Sequence, residues 1–301
     1  MGSRIFVDVF DTTKYVWWYD RHVVGLQVSH ILDCGVYNFH FPFYILIFTF
    51  IMTAYSKQVI IFSLNGTLTP NGQGMDAETS RLFTGLLANK KIAVTSGCGM
   101  SKFETQLLKE FGTSPDRFSN LYLLPLSGTK LLTWKGTWVE SYSEHLSPPQ
   151  KEEIMTALNR TLKVIGWTEP SVSYGSIIQD RGSQVTFSGL GENAPFEKKS
   201  EWDPSRAIRE KMLVELRSKL INYDVRIGGM TSIDITKRGV NKGYGVRKLE
   251  ELLKLQPEAM IFVGDAIFPE GNDFPIKATG VDCIPVKSVA DTKELLKSWV
   301  A

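Results

Sequence analysis

Cysteine and histidine are scarce in this chain of 301 residues: three cysteines (Cys34, Cys98, Cys283) and four histidines (His22, His30, His40, His145). The cysteines lie too far apart in sequence for a disulfide framework or a CxxC metal site, which suits a reducing cytoplasm. The histidines sit in no His/Cys cluster, which argues against zinc chemistry. An excess of charge is also missing, since 34 basic residues face 32 acidic ones for a net +2. The basic residues are scattered, with no aromatic-interleaved stripe, so neither nucleic acid nor an anionic membrane is an implied partner.

Charge is absent altogether between Asp33 and Lys57, a run that includes "FPFYILIFTFIM". About 20 apolar residues suffice to span a bilayer, so a membrane tether is one reading of residues 34–56. Asn38, His40 and Pro42 interrupt the run and leave only about a dozen strongly apolar positions, nearer a core segment. No secretory cleavage context follows it. A third reading starts the functional protein at Met52. Residues 1–56 are therefore set apart as an N-terminal extension of uncertain status.

The absence that bears most on chemistry is in "IIFSLNGTLTP", residues 60–70. Val59 to Phe62 are β-branched or aromatic, as in a strand buried on both faces. The polar loop that follows is a common mount for a reactive side chain, yet it offers only Ser63 and Asn65. Neither is a carboxylate.

What is present from residue 58 onward is an alternation of strands and helices. Strands are expected at 58–64, 91–96, 121–126 and 259–264, and helices at 76–88, 101–111, 243–255 and 290–300. This alternation implies an α/β, doubly wound parallel sheet. The middle of the chain reads helix, strand, helix, strand, strand, which suggests a mainly antiparallel sheet backed by helices. The expected division is a core of residues 57–137 and 237–301, with an inserted α+β cap domain at 138–236.

Three further segments carry chemistry. In "IFVGDAIFPEGNDFP" a strand ends at Gly264 and places Asp265 and, eight residues on, Asp273 in one loop, suited to a hard cation such as Mg²⁺. In "KKIAVTSGCG" Ser96 and Gly97 follow a strand and offer a hydroxyl and N–H groups to a phosphate oxygen. In "RGVNKGYGV" Lys242 opens a helix whose dipole already favours an anion.

As a set these segments resemble the haloacid dehalogenase superfamily of phosphotransferases, whose motifs are Asp-x-Asp-Gly-Thr, a strand-end Ser or Thr, a Lys, and Gly-Asp followed by Asn-Asp. This chain has Ser63-Leu64-Asn65-Gly66-Thr67, then Ser96, Lys242, and Gly264-Asp265 with Gly271-Asn272-Asp273. Placement of the cap between the second and third motifs resembles eukaryotic-type phosphomannomutases and bacterial sugar phosphatases. "GDAIFPEGND" and "GGMTSIDITKRGVNKGYG" are similar to the phosphomannomutase forms, with Ser232 and Asp234 at sugar-contacting positions. Arg181 matches a phosphate-binding arginine, whereas a second expected arginine falls on Glu192.

The resemblance implies phosphoryl transfer on a hexose phosphate with Mg²⁺, and a homodimer through the cap. It places Ser63 at the nucleophile position, Asn65 at the general acid/base position, and Thr67, Ser96, Gly97, Lys242 and Arg181 around phosphate. Metal would be held by Asp265 and Asp273 with the positions of Ser63 and Asn65. A serine cannot form an acyl phosphate and is a poor nucleophile without a base. Asn65 exchanges no proton near neutral pH. Loss of a positioned general acid/base alone costs roughly 10²–10⁴-fold, so impaired chemistry and a weakened cation site are expected. A non-catalytic sugar-phosphate-binding protein is the alternative.

Overall fold

The computed structural model describes residues 56–111 and 115–300, together with the backbone of four strands upstream. Those strands are β1 (Phe6–Val7), β2 (Tyr15–Trp18), β3 (Leu26–Leu32) and β4 (Gly35–Phe41). They pair antiparallel in the order β1-β2-β3-β4 within a unit, Met1–Ser56, that is separate from Lys57–Ala301. The first residues of the uncharged run thus belong to β4, and residues 42–55 lie outside the described residues. Among the described residues no helix is long and apolar enough to cross a membrane.

In the second unit, β5 (Val59–Ser63) is buried along its whole length. It pairs in parallel with β6 (Lys91–Thr95) on one side and β14 (Met260–Gly264) on the other. The full sheet runs β15-β14-β5-β6-β7-β8-β9, with β7 at Leu121–Leu124, β8 at Lys130–Trp134, β9 at Trp138–Ser143 and β15 at Asp282–Pro285. Helices cover both faces, which is why β5 is apolar throughout rather than alternating. On one face Phe62 meets Phe83 of α1 (Ala77–Leu87) and Trp299 of α7 (Val289–Val300) at ring separations of 5.9 and 6.3 Å. On the other, Val59 and Ile61 join Val246 and Leu249 of α6 (Lys242–Leu253) in one buried cluster. The expected doubly wound α/β core is the observed one.

The chain leaves β5 toward β6 and returns on the opposite side at β14. That reversal opens a crevice at the carboxyl ends of the strands, the usual ligand position in such sheets. The registers Ser63↔Thr95 and Val263↔Phe62 bring the ends of all three strands level.

The inserted segment begins later than the sequence pattern indicates. Trp138–Ser143 forms β9, which pairs antiparallel with β8 (Lys130–Trp134) and extends the large sheet. Its apolar partners explain this: Trp134, Trp138 and Phe118 stack at 4.9–5.6 Å. Helix α3 (Pro148–Val164) follows, opened by a capping box between Ser147 and Gln150. The insertion contains a four-stranded antiparallel sheet of order β10-β11-β13-β12, from Ile178–Asp180, Val185–Ser188, Ser232–Lys237 and Tyr223–Ile227. Strand β10 and the short helix α4 (Phe196–Trp202) are additions to the expected order; α5 is Ala207–Lys219. α3 and α5 bury Leu158, Met212 and Leu216 against Phe187 and Ile233, giving the insertion its own core. The 101–111 helix is split, with α2 at Met100–Gln106 and a 3₁₀ turn at Leu108–Phe111.

Candidate active site

Ser63 ends β5 almost fully buried, at 3% exposure. The chain then turns sharply through Gly66, whose φ of +83° suits glycine. A Cβ there would stand 2.4 Å from Asp265 Oδ2. Glycine is therefore required twice, by the turn and by the carboxylate pressed against it. Thr67 Oγ1 donates to Asp265 Oδ1 at 3.1 Å. The loops after β5 and β14 thus face each other across the crevice.

Lys242 is the first residue of α6, whose N-cap Asn241 accepts from Tyr244 N–H at 3.2 Å. Its ammonium is 2% exposed and lies 2.5 Å from Asp273 Oδ1, 3.1 Å from Ser63 Oγ and 3.3 Å from Asn272 Oδ1. The other Asp273 oxygen accepts from Ala266 N–H at 3.1 Å. Asp273 is fully buried, and both of its oxygens are engaged within the protein. Gly264 must be small here, since a Cβ would approach Asp273 Oδ2 to 2.6 Å.

On the β6 side, Ser96 Oγ accepts from Cys98 N–H at 3.2 Å and from Asn65 Nδ2 at 3.5 Å. Asn65 Oδ1 in turn accepts from Gly72 N–H at 3.2 Å. The amide of Asn65 therefore ties the two loops together.

Side chains of the insertion complete the cleft. The carbonyl of Gly97 accepts from Arg181 Nη1 at 3.3 Å and Gln184 Nε2 at 3.0 Å. Gln184 Nε2 and Thr186 Oγ1 also donate to Asp234 Oδ1, each at 2.9 Å. Burial pushes the Asp234 carboxyl above its ordinary range, against the opposing pull of Arg181, Thr186 and Lys242. Asp234 Oδ2 fits a slot in which a Cβ on Gly97 or Gly228 would approach to 2.8 or 2.7 Å. Arg181 also donates to Gln179 Oε1, and its guanidinium lies 3.7 Å from Glu192. The resulting cavity is about 710 Å³ and is lined by Ser63, Asn65, Ser96, Gly97, Arg181, Glu192, Ser232, Asp234, Lys242 and Asp265, among others.

All the residues singled out in the sequence thus converge, with Thr67 and Asp273 just behind the cavity wall. Sequence reasoning missed Gln184 and Thr186, which hold Asp234. The signal was available: in "SQVTFSG" they alternate with the apolar Val185 and Phe187, so they share the strand face opposite the core. It also missed the buried ion pair of Arg209 with Asp203 at 2.9 Å, which has no local pattern.

The donors present do not match a tightly held Mg²⁺. That ion favours near-octahedral oxygen coordination with at least one or two carboxylates. Of the two acids expected to hold the ion, Asp273 is paired with Lys242, and burial, with the charge of Asp273, raises the pKa of Asp265. Ser63 and Asn65 bring no charge. Among the described residues no group of three or more His, Cys, Asp or Glu side chains is arranged to hold a metal.

Comparison with known proteins accords with this architecture. The family model for eukaryotic phosphomannomutase matches residues 81–300. Phosphomannomutase of Spinacia oleracea is 27% identical over 233 residues, covering 76% of this chain and 89% of that protein. That of Triticum aestivum is 29% identical over 222 residues, covering 72% and 84%. Among solved structures, the N-terminal truncated Plasmodium falciparum IMP-nucleotidase shares the fold at a TM-score of 0.64 and 18% identity, over 85% of this chain and 74% of that one. A haloacid dehalogenase-like hydrolase from Bacteroides thetaiotaomicron does so at 0.52 and 15% identity, over 79% and 92%. With a family match over most of its length, this chain belongs to the eukaryotic phosphomannomutase family.

Proposed function

We propose that the cleft binds a hexose phosphate and that phosphoryl transfer is strongly impaired, because Ser63 and Asn65 occupy the nucleophile and acid/base positions. The observation that carries this reading is the Lys242 ammonium, 3.1 Å from Ser63 Oγ and paired with Asp273. An ammonium so paired donates to the hydroxyl instead of deprotonating it, so Ser63 has no base beside it. The charge of the same ammonium and the Ser96 hydroxyl serve a phosphate group, whereas the N–H groups of Leu64 and Gly66 in the loop already donate to Thr95 O and Thr69 O. Removal of two carboxylates from the loop also removes repulsion toward a dianion. Arg181, Ser232 and Asp234 then contact the sugar end. Magnesium is held weakly, and Asp273 serves to position Lys242 instead of binding a cation.

A second reading, a sugar-phosphate-binding protein without catalytic role, is favoured by the completeness of the polar cleft beside the altered loop. One experiment separates the two. Mannose 1-phosphate turnover is measured with Mg²⁺ for the natural chain and for the Ser63→Asp/Asn65→Asp double variant. Activity confined to the double variant supports a degenerate enzyme. Inactivity of both, with calorimetric binding of hexose phosphate retained, supports the binding protein. Family-typical turnover by the natural chain refutes impairment.

A further inference from the structure

The outer edge of the inserted sheet carries a second concave surface that the cleft chemistry does not use. Strand β12 is the last strand of that sheet, so one of its edges has no strand partner. Arg217 Nε donates to Val225 O of the strand at 3.2 Å, and Arg238 Nη1 to Ile221 O, just before the strand, at 3.0 Å. With Arg226 they line a cavity of about 370 Å³ in which Asp224 is the only carboxylate among the lining residues. Three guanidinium groups around one acid leave the pocket positive.

The pairing within it is incomplete. Arg226 Nη2 reaches Asp224 Oδ2 at 3.2 Å, but Arg226 Nε is buried with no acceptor. That nitrogen is closed off from the cavity, so an anion there meets the outer Nη nitrogens of the same guanidinium, one of which is shared with Asp224. Arg217 extends to Glu270 Oε2 at 3.0 Å, an exposed pair that is worth little and is readily exchanged. The Arg238 guanidinium enters no ion pair among the described residues, and its hydrogen bond to Ile221 O goes to a neutral carbonyl. Two guanidinium groups thus have spare donors in a pocket ringed by positive charge.

The geometry points to an anion site between Arg226 and Arg238 that takes a phosphate group, as free phosphate or as a phosphate monoester. Planar guanidinium forks match phosphate oxygens two at a time, and the pocket volume admits the group with room for an ester substituent. Position gives the site consequence. Arg238 lies where the chain returns from the insertion to the core, just before Asn241 and Lys242. Asp224 Oδ2, which holds Arg226, also accepts from Asn241 Nδ2 at 3.2 Å, and Asn241 caps the helix that begins with Lys242. A phosphate here is therefore linked through Arg226 and Asp224 to Asn241, the residue that caps the helix opened by the cleft lysine.

Calorimetric titration with inorganic phosphate tests this on the full chain. Arg226→Gln and Arg238→Gln keep a neutral donor and remove the charge; both should fold, which the circular dichroism spectrum checks. Each is expected to weaken one phosphate-binding event roughly tenfold or more. Any event in the main cleft should survive in both variants, so loss of this site is read separately from absence of cleft binding. A crystal grown in phosphate should show the ion between the two side chains. Titrations identical to the natural chain would overturn the assignment. Equal affinity for sulfate would reduce the pocket to a general anion patch and overturn the phosphate class. Variants that change oligomeric state but not phosphate binding would mark the edge as a contact between copies.

Discussion

Lys242 and Asp273 form a buried ion pair, 2.5 Å apart, with side chains 2% and 0% exposed. Both come from positions usually read as phosphate and metal contacts, yet here each is the other's counterion. A buried pair is weak evidence for stability in itself, but removing one partner strands the other.

Lys242→Met should therefore destabilise the protein by about 3–5 kcal/mol, because Asp273 loses its cation in a dry site. Denaturant midpoints measure it. The Lys242→Met/Asp273→Asn double variant should recover most of that loss, giving a large coupling energy in the cycle. Additive single effects would mean that the two side chains do not act as a pair.

Asp234 sets a pH dependence whose sign follows from its burial. Its folded pKa is raised above the ordinary carboxylate range, so the native state holds the proton more tightly than the unfolded chain. Such a group contributes most below its unfolded pKa, and the contribution fades as pH rises through the folded pKa. Asp234→Asn keeps the acceptor for Gln184 and Thr186 and removes the titration. Stability of the variant, relative to the natural chain, should improve as pH rises from about 4 to about 8. A constant difference across that range would refute the assignment.

Gly97 is held on both sides. Its carbonyl is clamped by Arg181 and Gln184, and a Cβ would sit 2.8 Å from Asp234 Oδ2. Gly97→Ala should cost about 1–3 kcal/mol, as overpacking typically does. It should also weaken hexose phosphate binding through the displaced Asp234. Thermal unfolding and calorimetry read the two effects independently.

The metal prediction needs no turnover. At Mg²⁺ concentrations near 100 times its Kd a bound ion would stabilise by about 2.7 kcal/mol. The natural chain should show little Mg²⁺-dependent shift in unfolding temperature at millimolar ion. Ser63→Asp/Asn65→Asp should show a clear one. Equal shifts in both would place the ion elsewhere.

Much of this was readable along the chain. The apolar run of β5, the strand ending at Gly264 and the 3.6-residue spacing of α6 announce buried parallel strands and their covering helix by local pattern alone. The loops are local too, so Ser63, Asn65, Ser96, Lys242, Asp265 and Asp273 were identifiable before any coordinates. Less was readable in the insertion. The local pattern places Trp138–Ser143 with the insertion because it alternates weakly and is held by aromatic packing from Phe118, twenty residues earlier.

The order of residues therefore determined which side chains stand at strand ends and that two acids are absent there, because those facts depend only on neighbours a few positions apart. Tertiary structure alone decided that Asp273 pairs with Lys242, that Gln184 and Thr186 hold Asp234, and that Arg226 has a buried donor without an acceptor. Those outcomes depend on groups 31, 50 and 48 residues apart competing for the same space, where burial makes every unpaired charge or donor costly and geometry chooses the partner.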